Sequence, residues 1–94
     1  MRMEKEKFVG LTSELEKTAM LDPMSCDCQK IVEMAIKMRD MLTSGGLRLS
    51  KMEKLRVMDT LASAKVNAFM QGTRTGLSTM RTLDTISNDM LRLF

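Results

Sequence analysis

The chain has 94 residues, with 15 Lys and Arg against 12 Asp and Glu, a net charge of +3, and no His, Trp or Tyr. This length allows one domain with a thin core of its own. Without His the chain lacks the commonest general base and metal ligand, and without Trp or Tyr it lacks a strong platform for stacking nucleic-acid bases. We therefore expect no enzyme activity, no cofactor and no metal site.

The two cysteines, Cys26 and Cys28, are too close in sequence to join distant elements. Positions i and i+2 do not share a helix face, and a zinc site needs about four ligands. We interpret them as structural thiols in a reducing compartment, with redox or metal chemistry as the alternative. The sequence also has no signal-peptide pattern and no apolar segment of membrane-spanning length. It predicts a cytoplasmic protein that does not bind a membrane. If the chain is viral, the predicted location is the host-cell cytoplasm.

The first predicted helix spans residues 1–21. Its apolar residues recur at steps of three and four, which is the helical period. These residues are Phe8, Leu11, Leu15 and Ala19. Ser13 and Glu16 also match a capping box, so the helix could start at Ser13 with the preceding residues frayed.

The second predicted helix spans residues 23–43. Pro23 fits the first position of a helix because it has no N–H to leave unpaired, and Asp22 can cap that position. The apolar series along this segment has spacings of 3, 4, 3 and 4. It consists of Cys28, Ile31, Ala35, Met38 and Leu42.

A glycine pair at 45–46 can end this helix in the left-handed conformation. Ser50 and Glu53 then form an S-x-x-E capping box that begins the next helix. A connection this short places the helices at 23–43 and 50–70 antiparallel, as a helical hairpin.

The third predicted helix, residues 50–70, has one apolar face at helical spacing. That face consists of Met52, Leu55, Met58, Ala62, Val66 and Phe69. Two glycines and two threonines in residues 71–76 weaken helix propensity, so we predict a break there and a C-terminal helix over 77–93. A single helix through to residue 93 is the alternative.

These patterns predict an all-α protein of three to four helices around an antiparallel helical hairpin, completed by oligomerisation into a bundle. The apolar surface is rich in Met, which occurs 12 times and adapts to irregular surfaces. Met could fill the core or bind a partner helix. The residues predicted to form a partner or oligomer interface are Ile31, Ala35, Met38, Leu42, Met52, Leu55, Met58 and Phe69.

Basic residues concentrate in residues 46–82, where seven Lys and Arg stand against two Asp and Glu, a net +5. If the helix continued through residues 72–76, one line along it would contain Arg56, Arg74, Arg81 and Arg92. This pattern allows contact with a nucleic-acid backbone, or an ordinary solvated flank. The candidate nucleic-acid residues are Arg48, Lys51, Lys54, Arg56, Lys65, Arg74 and Arg81.

The leading functional prediction is a non-catalytic adaptor, chaperone or assembly subunit that presents a Met-rich helical surface to a helical protein partner or to a second copy as a homodimer. The alternative is a small dimeric helical nucleic-acid-binding protein, such as a viral or phage RNA- or DNA-binding regulator. It would use the basic block on residues 48–81.

Overall fold

The computed structural model describes residues 2–24, 28–43 and 50–93, and every regular element within these ranges is an α-helix. Helix α1 spans Arg2–Leu21, α2 spans Cys28–Thr43, α3 spans Lys51–Met70 and α4 spans Arg74–Leu93. The prediction of an all-α fold with up to four helices is confirmed. The glycine pair at 45–46 and Cys26 lie outside the described residues.

The predicted start of α2 at residue 23 is wrong, and the alternative start of α1 at Ser13 is not observed. Helix α1 runs without interruption from Arg2, because Phe8 is buried in the core and holds the N-terminal turns in place. Pro23 lies in a turn rather than at the start of a helix, and α2 begins at Cys28. The carboxylate of Asp22 instead accepts a buried hydrogen bond of 2.7 Å from the Thr79 hydroxyl of α4.

The predicted break between the last two helices is confirmed, and it is shorter than expected. Gly72 has φ of 66°, the left-handed conformation that favours glycine after a helix end. The Thr73 hydroxyl then accepts a hydrogen bond of 2.9 Å from the Gly76 N–H, which caps α4. The helix therefore begins at Arg74 rather than at residue 77.

The predicted capping box of α3 is confirmed. The Ser50 hydroxyl accepts from the Glu53 N–H at 3.1 Å, and the Glu53 carboxylate accepts from the Ser50 N–H at 3.1 Å. These bonds favour the ionised carboxylate and hold the pKa of Glu53 below its usual range. The larger contribution comes from the Ser50 backbone and the smaller one from the Ser50 hydroxyl.

The helices form a four-membered bundle in which three neighbouring pairs pack closely and one does not. Helix α1 packs on α2 and α4, and α3 packs on α4, whereas α2 and α3 touch only lightly. Glu16 of α1 pairs with Arg39 of α2, and Lys65 of α3 lies 3.2 Å from Asp84 of α4. The seam between α2 and α3 is therefore the most open side of the bundle.

The core is built from the inward face of all four helices. Small side chains such as Ala64 and Ala68 of α3 let the helix axes approach, and larger ones fill the centre. The buried cluster comprises Phe8, Leu15, Ala19, Ile31, Ala35, Met38, Val57, Leu61, Ala64, Leu83, Ile86 and Met90.

Candidate interaction surface

Helix α3 carries apolar side chains on two separate faces. The inward face consists of Val57, Leu61, Ala64 and Ala68, all buried. At about 100° per residue, the predicted apolar face lies roughly 150° away around the same helix. We call its exposed members the α3 stripe: Met52, Leu55, Ala62, Val66 and Phe69. The sequence pattern found the stripe but did not identify the face that packs into the chain's own core.

The α3 stripe is open to solvent along the length of the helix. Met52 is 63% exposed, Leu55 60%, Val66 59% and Phe69 60%. Isolated apolar residues on a surface are ordinary, but two pairs of large ones on one helix face, here separated by Asp59 and Ala62, are typical of an interaction surface. Met58, predicted on the same face, is half-buried and packs against the core instead.

Helix α4 carries two exposed leucines on the side that borders α3. The Lys65–Asp84 ion pair marks the side of α4 that borders α3. Leu77 and Leu91 stand seven residues before and after Asp84, so they lie on the same side of α4, and both are exposed. Exposed Met70 adds to the surface near the α3–α4 turn. These three residues were not among the predicted interface residues, because the side of α4 that borders α3 is known only from the Lys65–Asp84 pair.

A second concave feature follows the lightly packed seam between α2 and α3. It is a groove of about 270 Å³ whose apolar lining includes Met34, Met38 and Met41 from α2 and Val57 from α3. Charged residues of both signs border it, namely Lys30, Glu33, Lys37, Glu53 and Arg56. The groove is adjacent to the α3 stripe but opens on another side of the helix.

The predicted interface residues divide between the core and the surface. Ile31, Ala35 and Met38 of α2 are buried inside the chain, so a partner could reach them only if the bundle opened. Met52, Leu55 and Phe69 are on the open surface. The side chain of Leu42 lies outside the described part of the molecule. The interface as a whole stays a prediction.

The predicted basic line does not exist as a single row, because the break at residues 71–73 separates α3 from α4. Exposed Arg74 and Arg81 lie on one face of α4, about 10 Å apart along its axis, with Arg92 further along the same face. Arg56 and Lys51 are exposed on α3.

Lys54 and Lys65 of α3 are half-buried, and Lys65 pairs with Asp84. Arg48 lies outside the described residues. The basic residues therefore divide between two helices, and at least one of them is engaged within the chain.

Within the described ranges, no group of three or more His, Cys, Asp and Glu side chains is arranged to hold a metal ion. None of the helices described has both the length and the apolar character needed to cross a membrane. Comparison with protein-family models, with curated proteins and with solved structures finds no match to this chain.

Proposed function

We propose that this protein is a non-catalytic interaction module, an adaptor, chaperone or assembly subunit, that binds an amphipathic helix through the α3 stripe. The observation that carries the proposal is the exposure of four large apolar side chains, Met52, Leu55, Val66 and Phe69, in one row on a helix whose opposite face is already buried. We place this function in a reducing cytoplasm, where the two closely spaced cysteines remain thiols.

The chain cannot hide the stripe by a simple rearrangement. Turning α3 so that Leu55 and Val66 face inward would bring Val57 and Leu61, now 4% and 0% exposed, out to solvent. Each large apolar side chain is worth about 1.5–3 kcal/mol when fully buried, so the exchange gains nothing. Only a second apolar surface can cover both faces of α3 at once.

The side chains of the stripe suit a helical partner. Together with Asp59, which lies between Leu55 and Ala62, they follow the three- and four-residue alternation that packs against another helix by interdigitation of side chains. Phe69 offers a large anchor at one end, and Met52 offers an adaptable thioether at the other.

Site-specific photo-cross-linking in producing cells tests the proposal. A benzophenone amino acid replaces Val66 in the stripe, and in a matched variant it replaces Thr85, an exposed residue of α4. We expect a protein adduct of defined mass from position 66 and none from position 85. Equal adduct patterns from both positions, or no adduct from position 66, would contradict the proposal.

A nucleic-acid backbone is a second candidate partner, favoured by the placement of Arg74, Arg81 and Arg92 on one exposed face of α4. Arg binds phosphate through paired N–H groups, and such binding weakens steeply with salt. A gel-shift titration at low salt with double-stranded RNA and DNA tests this candidate. Loss of a complex in the double variant Arg74→Gln/Arg81→Gln would support it, and the absence of any complex with the unmodified chain would eliminate it.

A further inference from the structure

We propose that the occupant of the α3 stripe is a second copy of this chain, paired antiparallel about a two-fold axis that passes between residues 60 and 61. This inference rests on the proposed function and names its partner. The six positions along the face have spacings of 3, 4, 3, 4 and 3, which is the a/d pattern of a coiled coil. They are Met52, Leu55, Asp59, Ala62, Val66 and Phe69.

In an antiparallel pair each a position meets a d position of the other helix. With the axis between residues 60 and 61, Met52 faces Phe69 of the second copy, and Leu55 faces Val66 of the second copy. Every large apolar residue of the stripe then has an apolar partner. Two equivalent apolar clusters flank the axis, as a self-complementary interface requires.

The charge at the centre of the stripe selects the antiparallel direction. Exposed Asp59 occupies an a position near the middle of the helix. A parallel pair in register would put both Asp59 carboxylates in one layer, where like charges repel. In the antiparallel pair Asp59 faces Ala62 of the second copy, and the two Asp59 carboxylates lie in adjacent layers, farther apart than in the parallel pair. Arg56, three residues before Asp59 on the same helix, is close enough to offset part of the remaining repulsion.

The available area is sufficient for a specific dimer. Seven large apolar side chains contribute: Met52, Leu55, Val66, Phe69, Met70, Leu77 and Leu91, each between 36% and 74% exposed. Together they present on the order of 500 Å² of apolar surface in one copy. A pair would then bury about 1,000 Å², which meets the lower limit for a specific interface.

The polar centre also restricts the register. A single polar residue at an a position fixes alignment at some expense of stability, because other alignments bury it against apolar residues. Sliding one helix by a heptad would place Asp59 against Leu55 or Phe69 of the second copy. The structure therefore favours one antiparallel alignment over its neighbours.

Disulfide trapping tests the direction and register. Leu55→Cys and Val66→Cys are made separately in a background carrying Cys26→Ser and Cys28→Ser, and each is oxidised alone and in an equimolar mixture. We expect a disulfide-linked dimer in the mixture, at several times the yield from either variant alone. A dominant dimer from Leu55→Cys alone would indicate a parallel pair and overturn the inference.

The solution mass tests whether the occupant of the α3 stripe is a second copy of the chain. Light scattering during gel filtration should give twice the chain mass of 10.7 kDa, and Leu55→Glu should restore the single-chain mass while circular dichroism shows its helicity intact. Met20→Glu, at an equally exposed position of α1, should remain dimeric.

A single-chain mass for the unmodified protein across the accessible concentration range would overturn the inference. If position 66 then still cross-links to another protein in cells, the proposed interaction function stands and only the second copy is ruled out. A Leu55→Glu variant that retains the double mass would place the dimer contact elsewhere and also overturn the inference.

Discussion

Gly76 of α4 lies close to the backbone at the end of α3. A Cβ atom added at this position would clash with the Ala68 carbonyl oxygen, which belongs to the backbone and cannot swing away. Helix propensity alone would favour Ala over Gly inside a helix by roughly 1 kcal/mol. Helix propensity therefore predicts that Gly76→Ala stabilises the protein, whereas packing against Ala68 predicts that it destabilises the protein.

We expect Gly76→Ala to destabilise the protein by about 1–3 kcal/mol, because the clash forces the α3–α4 turn to move. Gly10→Ala provides the matched control: Gly10 is also inside a helix, and an added Cβ there meets nothing within 4 Å. That substitution should stabilise the protein by about 0.5–1 kcal/mol. Urea unfolding of both variants measures the two changes, and a stabilising Gly76→Ala would show that α3 and α4 are not this close.

At the scale of the element, α3 differs from the other helices because it is apolar on two faces. Leu61 and Leu55 are the same residue type on the same helix, yet Leu61 is fully buried and Leu55 is 60% exposed. The fold therefore buries one face of α3 in the chain's own core and leaves the other exposed to solvent.

Truncating each leucine separates these two roles. Leu61→Ala should lower the free energy of unfolding by about 2–5 kcal/mol because it leaves a cavity in the core. Leu55→Ala should cost about 0.5 kcal/mol or less in dilute solution, where no partner covers the stripe. Urea titrations at low protein concentration measure both values. Equal losses would mean that the inward face of α3 has been assigned wrongly.

Sequence patterns predicted the elements well where local chemistry decides them. The Ser50–Glu53 capping box and the break before α4 depend on neighbouring residues, and both are present. The inward face of α3 depends on packing against α4, where Ala68 and Gly76 permit a close approach. The two apolar faces of α3 have similar hydrophobicity. The sequence alone therefore could not show which of them packs into the core.

At the scale of the whole molecule, the four helices do not share the core equally. Helix α4 packs closely on both α1 and α3, whereas α2 packs closely only on α1 and borders the open groove on its other side. An element with one closely packed neighbour opens locally at lower free energy than an element with two. Helix α3 likewise packs closely on one helix only, α4, so the bundle should loosen first at α2 or α3, the two helices that border the groove.

Amide hydrogen exchange measures this difference in local stability directly. The informative amides lie in the middle of each helix at equal burial, such as Ala35 of α2 and Ile86 of α4. We expect exchange at Ala35 to be at least roughly tenfold faster than at Ile86, because α2 can detach while the α1–α4–α3 packing persists. Equal protection at both amides would mean that they exchange only when the whole bundle unfolds, and that the open groove does not weaken the attachment of α2.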